Sequence, residues 1–136
     1  MDIYRELSSR MRKRFGQEIG CGVTRRVYKH KTFVIKVPID EYGVIDNRKE
    51  YCIYKSFIKG IQRPFFVPAA CRILKDKQTG LEVLVMEKLR KTKKDLPAWV
   101  LKLDDAIPAD NLFQVGRTKD GVIKCYDYAS EDWRWK

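Results

Sequence analysis

The sequence has no closely spaced cysteines and only one histidine. The four cysteines are far apart and include no CxxC pair, which argues against a zinc ribbon and against a disulfide framework. We therefore expect reduced thiols in a reducing compartment, the cytoplasm. The only histidine, His30, lies on a predicted strand, so histidine-based catalysis is not expected.

A long apolar run is also missing. The best one, Leu81 to Met86, is short and already contains Glu82, so we expect no segment that crosses a bilayer. Residues 1–15 carry charges throughout, unlike the apolar centre of a secretory signal. We expect no membrane among the partners of the chain.

Positive charge, in contrast, is abundant. The 136 residues are enough for one domain with one hydrophobic core, and the formal net charge is +11, partly concentrated near the N-terminus. Such a charge attracts nucleotide phosphates, nucleic acid and acidic proteins. A solvated basic surface without a specific anion is the alternative.

Periodicity predicts a helix, three strands, a second helix and two further strands in the first part of the chain. The helices cover residues 2–15 and 44–59, with Gly16 and Gly60 as stops. The strands fall at residues 18–20, 26–30, 32–37, 71–75 and 81–86. This pattern predicts an α+β fold with a five-stranded antiparallel sheet.

The remaining residues are less regular. A short helix is predicted over residues 97–103, followed by an acidic loop at 104–110. Residues 113–117 and 122–126 flank Lys119-Asp120-Gly121, which is a strong hairpin signal.

Three features of the first part suggest chemistry. Gly20-Cys21-Gly22 predicts a turn whose backbone can approach phosphate oxygens, because glycine has no Cβ. Lys36 interrupts an apolar strand, and Glu50 lies on or beside the apolar stripe of a helix. An ion pair between Lys36 and Glu50 satisfies both and leaves the ammonium able to reach phosphates; a surface-seeking Lys36 is the alternative.

These residues resemble the signature set of the protein-kinase superfamily, including its truncated forms in phages and bacteria. Gly20, Gly22 and Val27 fit the glycine-rich loop, Lys36 the strand lysine and Glu50 the helix glutamate. The resemblance implies a nucleotide-binding small lobe at residues 17–87, preceded by a helix at 1–16 and followed by a reduced large lobe at 88–136. It also implies a hinge that holds adenine, with Met86, Glu87 and Leu89.

The resemblance extends to the second part of the chain. Asp127 in Asp127-Tyr128-Ala129 looks like the metal-binding aspartate, and Gln114 stands where an asparagine helps hold a second Mg²⁺. Asn111 is the alternative if the loop aligns differently. Asp110 is the candidate catalytic base, with Asp104 and Asp105 as poorer choices.

Two departures from the family pattern bear on activity. Arg25 replaces the third glycine of the loop, where an arginine could itself reach a phosphate. No H-R-D motif is present, and the residue five positions before Gln114, where the family has its catalytic aspartate, is Ala109.

Three functions therefore remain open. The first is an ATP- and Mg²⁺-dependent phosphotransferase, and the second is an inactive kinase-like module that binds an acidic protein or a second copy of itself. The third is a nucleic-acid-binding protein, suggested by aromatic residues interleaved with Lys and Arg.

Overall fold

A computed structural model describes residues 2–61, 66–91, 96–97 and 115–129 of the chain. Contacts divide the chain into two compact units. The first unit contains Met1–Tyr51 and Ala70–Lys88, and the second contains Cys52–Ala69 and Leu89–Lys136. The predicted helix over 97–103, the acidic loop at 104–110 and the candidates Asp110, Asn111 and Gln114 lie outside the described residues.

The first helix, α1, covers Ile3–Phe15, as the sequence predicted. The Asp2 carboxylate accepts a hydrogen bond from the Arg5 amide and begins the helix. Gly16 ends it with φ 87°, and its N–H donates to the Arg12 carbonyl. Leu7 and Met11, four residues apart, are buried, so one apolar stripe attaches the helix to the sheet.

Within the described residues of the first unit, five strands form one antiparallel sheet in the order β1-β2-β3-β5-β4. The strands are β1 (Gly20–Cys21), β2 (Arg25–Lys29), β3 (Phe33–Pro38), β4 (Cys71–Lys75) and β5 (Glu82–Glu87). The α+β class and the five-stranded antiparallel sheet are therefore confirmed.

The β1–β2 hairpin differs from the prediction in its turn. The sequence predicted a strand at residues 18–20 and a turn at residues 20–22, but Gly20 and Cys21 form β1 and pair with Val27 and Arg26. The Gly22 N–H donates to the Arg25 carbonyl, so the turn lies one step further along, at residues 23–24. The shift arises because this hydrogen bond extends the ladder past the glycines.

The sheet buries different side chains on its two faces. Ile35 and Val37 of β3 join Leu7, Met11 and Tyr28 in the apolar core beneath α1. Lys36, between them, points to the opposite face because side chains alternate along a strand. There it meets the second helix, α2 (Glu41–Lys59).

Helix α2 begins three residues before the predicted start. The Asp40 carboxylate accepts hydrogen bonds from the amides of Tyr42 and Gly43, and so caps the helix. The predicted stop at Gly60 is observed, with φ 69°. The buried residues of α2 are Gly43, Asn47 and Glu50, which share one face of the helix because they are four and three residues apart.

In the described part of the second unit, three short strands form an antiparallel sheet in the order β6-β7-β8. They are β6 (Arg90–Lys91), β7 (Val115–Arg117) and β8 (Ile123–Cys125). The predicted hairpin is present, and Gly121 in its turn has φ 86°. Strand β6 falls in a basic stretch that carried no strand signal.

Aromatic packing supports this sheet. The rings of Phe66 and Tyr128 lie 5.6 Å apart, and the Tyr128 hydroxyl donates to the Ala69 carbonyl. Cys125 exchanges hydrogen bonds with Val67 and Ala69. The segment before the sheet and the segment after it are therefore joined within the unit.

Two expectations from the sequence concern absences. Cys21, Cys52, Cys71 and Cys125 are all described, and none forms a disulfide. Among the described residues, no helix has the length and apolarity needed to cross a membrane.

Gly43→Ala should destabilise the protein. A Cβ at Gly43 would lie 2.3 Å from the Thr24 carbonyl oxygen and 2.7 Å from the Cα of Pro38, so the helix would have to move. Overpacking of this kind costs about 1–3 kcal/mol. We expect a loss of that size in urea unfolding, compared with less than about 0.5 kcal/mol for Gly20→Ala, since a Cβ there has no neighbour within 4 Å. Equal losses would contradict the close helix approach.

Candidate functional site

The Lys36 side chain is buried in the first unit. Its residue is 4% exposed, and its ammonium donates to Oε1 of Glu50 at 2.9 Å. Strands β2 and β5 flank it in the ladder, with Val27 and Leu84 as its register partners. The central strand fixes the backbone of this lysine. The predicted ion pair between Lys36 and Glu50 is present, and the alternative, in which the Lys36 ammonium reaches the surface, is wrong.

Helix α2 presents a polar face to this lysine. Glu50 is fully buried, and Asn47 one turn earlier is also fully buried. The Asn47 amide donates to the Lys36 carbonyl at 3.1 Å. Gly43, one turn earlier still, allows the helix backbone to approach the Thr24 carbonyl and Pro38. The helix is thus positioned by a small residue and two hydrogen-bonding residues.

Arg25 is the third charged member of the site. The sequence suggested that it could reach a phosphate, but in this structure its side chain is only 9% exposed and contacts α2. Nη1 donates to Oε1 of Glu50 at 2.5 Å and to Oδ1 of Asn47 at 3.1 Å. Glu50 therefore receives two cations on one oxygen.

The two cations control the ionisation of Glu50. Burial alone would raise the pKa of Glu50, because a buried carboxylate loses its hydration. The charges of Lys36 and Arg25, together with their hydrogen bonds, outweigh burial and lower the pKa from 4.5 to about 2. Glu50 is accordingly ionised across the physiological range, as a partner of two buried cations must be.

The glycine hairpin lies next to this charged cluster. Gly20 and Gly22 are exposed, and neither has a positive φ. A Cβ would meet nothing within 4 Å at Gly20, and at Gly22 only the Arg25 carbonyl at 3.8 Å. Neither backbone conformation nor packing therefore requires glycine at these two positions.

The turn of the hairpin is attached to α2. The Thr24 hydroxyl donates to Asp46 at 2.6 Å, and the Thr24 carbonyl accepts the amide of Ile39 at 2.8 Å. Arg25, the next residue, contacts Glu50 and Asn47. Hairpin and helix are thus linked through consecutive side chains.

The predicted hinge begins at the end of β5. Met86 is fully buried and pairs with Val34 and Cys71 in the sheet. Glu87 donates its amide to the Ala70 carbonyl, and its carboxylate accepts the Ala70 amide at 2.6 Å. These contacts hold the end of β5 against the segment that leads into β4. Leu89, the third predicted hinge residue, belongs to the second unit.

Asp127 belongs to the second unit and is half-buried. It follows β8, and its carbonyl accepts the Cys125 thiol at 3.4 Å. In the described ranges, no group of three or more His, Cys, Asp or Glu side chains is placed to hold a metal ion. The assignments of Asp127 and Gln114 to Mg²⁺ remain predictions.

Sequence reasoning missed several members of the site. Asn47, Gly43 and the Thr24–Asp46 contact were not anticipated. A signal existed for two of them, because Gly43, Asn47 and Glu50 recur at helical spacing and define a polar face. No comparable signal marked Arg25 as a partner of Glu50, since its position in the family pattern is a glycine.

The chain matches no protein-family model and no curated protein. Two solved structures are similar to it, both GDP complexes of aminoglycoside 2'-phosphotransferase-IIIa, one of a point mutant and one of the wild type. The TM-scores are 0.45 and 0.42, with sequence identities of 14% and 15%. The similarity covers 65% of this chain and 31% of each enzyme, so the chain matches about a third of their length.

The low pKa of Glu50 predicts a specific pH dependence of stability. Because the folded-state pKa lies below the ordinary value of 4.5, ionised Glu50 stabilises the fold above that pH, and this contribution disappears as the pH falls towards about 2. The shift corresponds to about 3 kcal/mol.

Urea unfolding across this pH range measures the effect. Glu50→Gln should be less stable at neutral pH and should have a flatter profile between about pH 4.5 and pH 2. Glu18→Gln, which removes an exposed partner of Arg26, should retain the wild-type slope. Parallel profiles for wild type and Glu50→Gln would contradict the assignment.

Proposed function

We propose that the chain binds a nucleoside di- or triphosphate through its first unit and acts as a kinase-like phosphotransferase. The observation that carries this proposal is the Lys36 ammonium held against the fully buried Glu50 carboxylate on the sheet face opposite α1. Taking two charges out of water is costly, so such a pair is weak evidence for a stabilising role. A role in positioning the ammonium for an anion accounts for it better.

The glycines support the same proposal. Gly20 and Gly22 are not required by backbone conformation or by packing, and Gly20 lies in β1, although strands generally disfavour glycine. A phosphate group approaching the backbone explains the absence of side chains there. In this proposal Gly20, Gly22 and Val27 lie against the nucleotide, and Lys36 holds its phosphates.

The remaining assignments follow the kinase pattern and are part of the proposal. The segment of Met86, Glu87 and Leu89 would contact the base. Asp127 and Gln114 would hold Mg²⁺, which neutralises phosphate charge during transfer, and Asp110 would position the acceptor hydroxyl. ATP is the proposed donor.

A second candidate is a binding module that holds nucleotide without transferring phosphate. The absence of an H-R-D motif favours it, because the base of phosphoryl transfer is normally an aspartate of that motif. The module would engage an acidic protein or a second copy of the chain. Nucleotide binding without consumption of ATP would distinguish it from the phosphotransferase.

Thermal unfolding with added nucleotide tests the nucleotide site. A ligand at a hundred times its Kd stabilises the folded state by about 2.7 kcal/mol, which raises the midpoint by several degrees. We expect such a rise with Mg-ATP or Mg-GTP. GTP is included because both similar enzymes are GDP complexes.

Three variants identify the residues responsible. Lys36→Ala should fold, because Arg25 still neutralises Glu50, but should lose the rise. Gly20→Ala should retain its stability and bind more weakly. Lys75→Ala, which removes an exposed lysine of β4, should respond like the wild type. No rise in the wild type at millimolar nucleotide would refute the proposal.

A further inference from the structure

Two buried cations share one carboxylate oxygen in the first unit. Arg25 Nη1 lies 2.5 Å and Lys36 Nζ 2.9 Å from Oε1 of Glu50. Lys36 and Arg25 are 4% and 8% exposed, and Glu50 is fully buried. A single cation would be enough to neutralise this carboxylate, so the second requires an explanation.

Phosphate binding by Lys36 divides one positive charge between two anions. An ammonium shared between Glu50 and a phosphate neutralises each of them only in part, and a buried carboxylate that is incompletely neutralised is costly. Arg25 already contacts the same oxygen. Its guanidinium also donates to Asn47, which fixes it beside Glu50.

We propose that Arg25 is a positioning residue that keeps Glu50 neutralised while Lys36 engages the phosphates of a bound nucleotide. This inference rests on the proposed function, since it gives Arg25 a role at the same nucleotide site. Arg25 acts through Glu50 and does not contact the nucleotide.

Arg25 also contacts the backbone of the glycine hairpin. Its carbonyl accepts the Gly22 amide at 2.8 Å, and the preceding Thr24 contacts Asp46 of α2. Arg25 thus joins the backbone of the glycine hairpin to the carboxylate that holds Lys36. Phosphate binding at Lys36 and the placement of the hairpin are therefore coupled.

Nucleotide affinity tests the inference through its dependence on phosphate charge. Arg25→Gln should weaken ATP and ADP binding by about tenfold, or about 1.4 kcal/mol, because Glu50 then takes a larger share of the Lys36 charge. Binding of the uncharged nucleoside should change little, whereas a merely structural defect would weaken both.

The matched control is Arg26→Gln. It removes the same charge from the neighbouring residue of β2, but Arg26 is 38% exposed and pairs with Glu18. We expect less than about a twofold change in ATP affinity, as exposed pairs contribute little. Equal affinities of wild type and Arg25→Gln for ATP would overturn the inference and leave the proposed function standing. A wild type that binds no nucleotide would overturn both.

A double-mutant cycle tests the shared carboxylate without nucleotide. Arg25→Gln and Lys36→Gln each leave Glu50 with the other of these two cations, whereas the double variant removes both. The loss of stability in the double variant should therefore exceed the sum of the single losses. The cycle of Arg26→Gln with Lys36→Gln should be additive. Additivity in the first cycle would overturn the inference.

A measurement on the unmutated protein covers the case in which Arg25→Gln does not fold. The side-chain nitrogen resonances of Arg25 should shift when ADP is added, since its bond to Glu50 strengthens as Lys36 is shared with the phosphates. Those of Arg26 should stay in place. Resonances of Arg25 that do not respond at saturating ADP would contradict the inference.

Discussion

The buried carboxylate of Glu50 is the constraint on which the first unit depends. An ionised group in the protein interior is tolerated only when cations and hydrogen-bond donors replace its lost hydration. Lys36 and Arg25 supply them from two adjacent strands, and their charges keep the pKa of Glu50 well below its ordinary value. One side chain of α2 therefore ties the helix to both β2 and β3.

This constraint explains how α2 is attached. Its buried face in the first unit consists of Gly43, Asn47 and Glu50, a face that provides little hydrophobic stabilisation. The apolar core lies on the other side of the sheet, where Leu7 and Met11 of α1 cover it. The face under α1 is thus stabilised mainly by hydrophobic burial, whereas the face that carries Lys36 buries this charged side chain together with Leu84 and Met86. On this second face, hydrogen bonds and charges give α2 a specific position, which suits a site more than a scaffold.

Much of this arrangement could be predicted from the sequence. Lys36 in an apolar strand and Glu50 on or beside the apolar stripe predicted for its helix each violate the expected pattern, and their mutual pairing removes both violations. The strands around them follow from alternation and turn residues, and β4 was placed at its observed bounds. The role of Arg25 could not be predicted, because a contact across the sheet to a helix depends on the tertiary fold and leaves no periodic trace. The position of the first turn was missed for a related reason, since one backbone hydrogen bond from Gly22 moves it.

We propose that the Lys36 ammonium lies where nucleotide phosphates bind. An ATP acyl phosphate transfers its acyl group to a lysine held against the phosphates, and mass spectrometry identifies the modified residue. We expect Lys36 to be acylated and excess ATP to prevent the modification. Labelling confined to exposed lysines such as Lys29, Lys31 and Lys75, and unaffected by ATP, would contradict it.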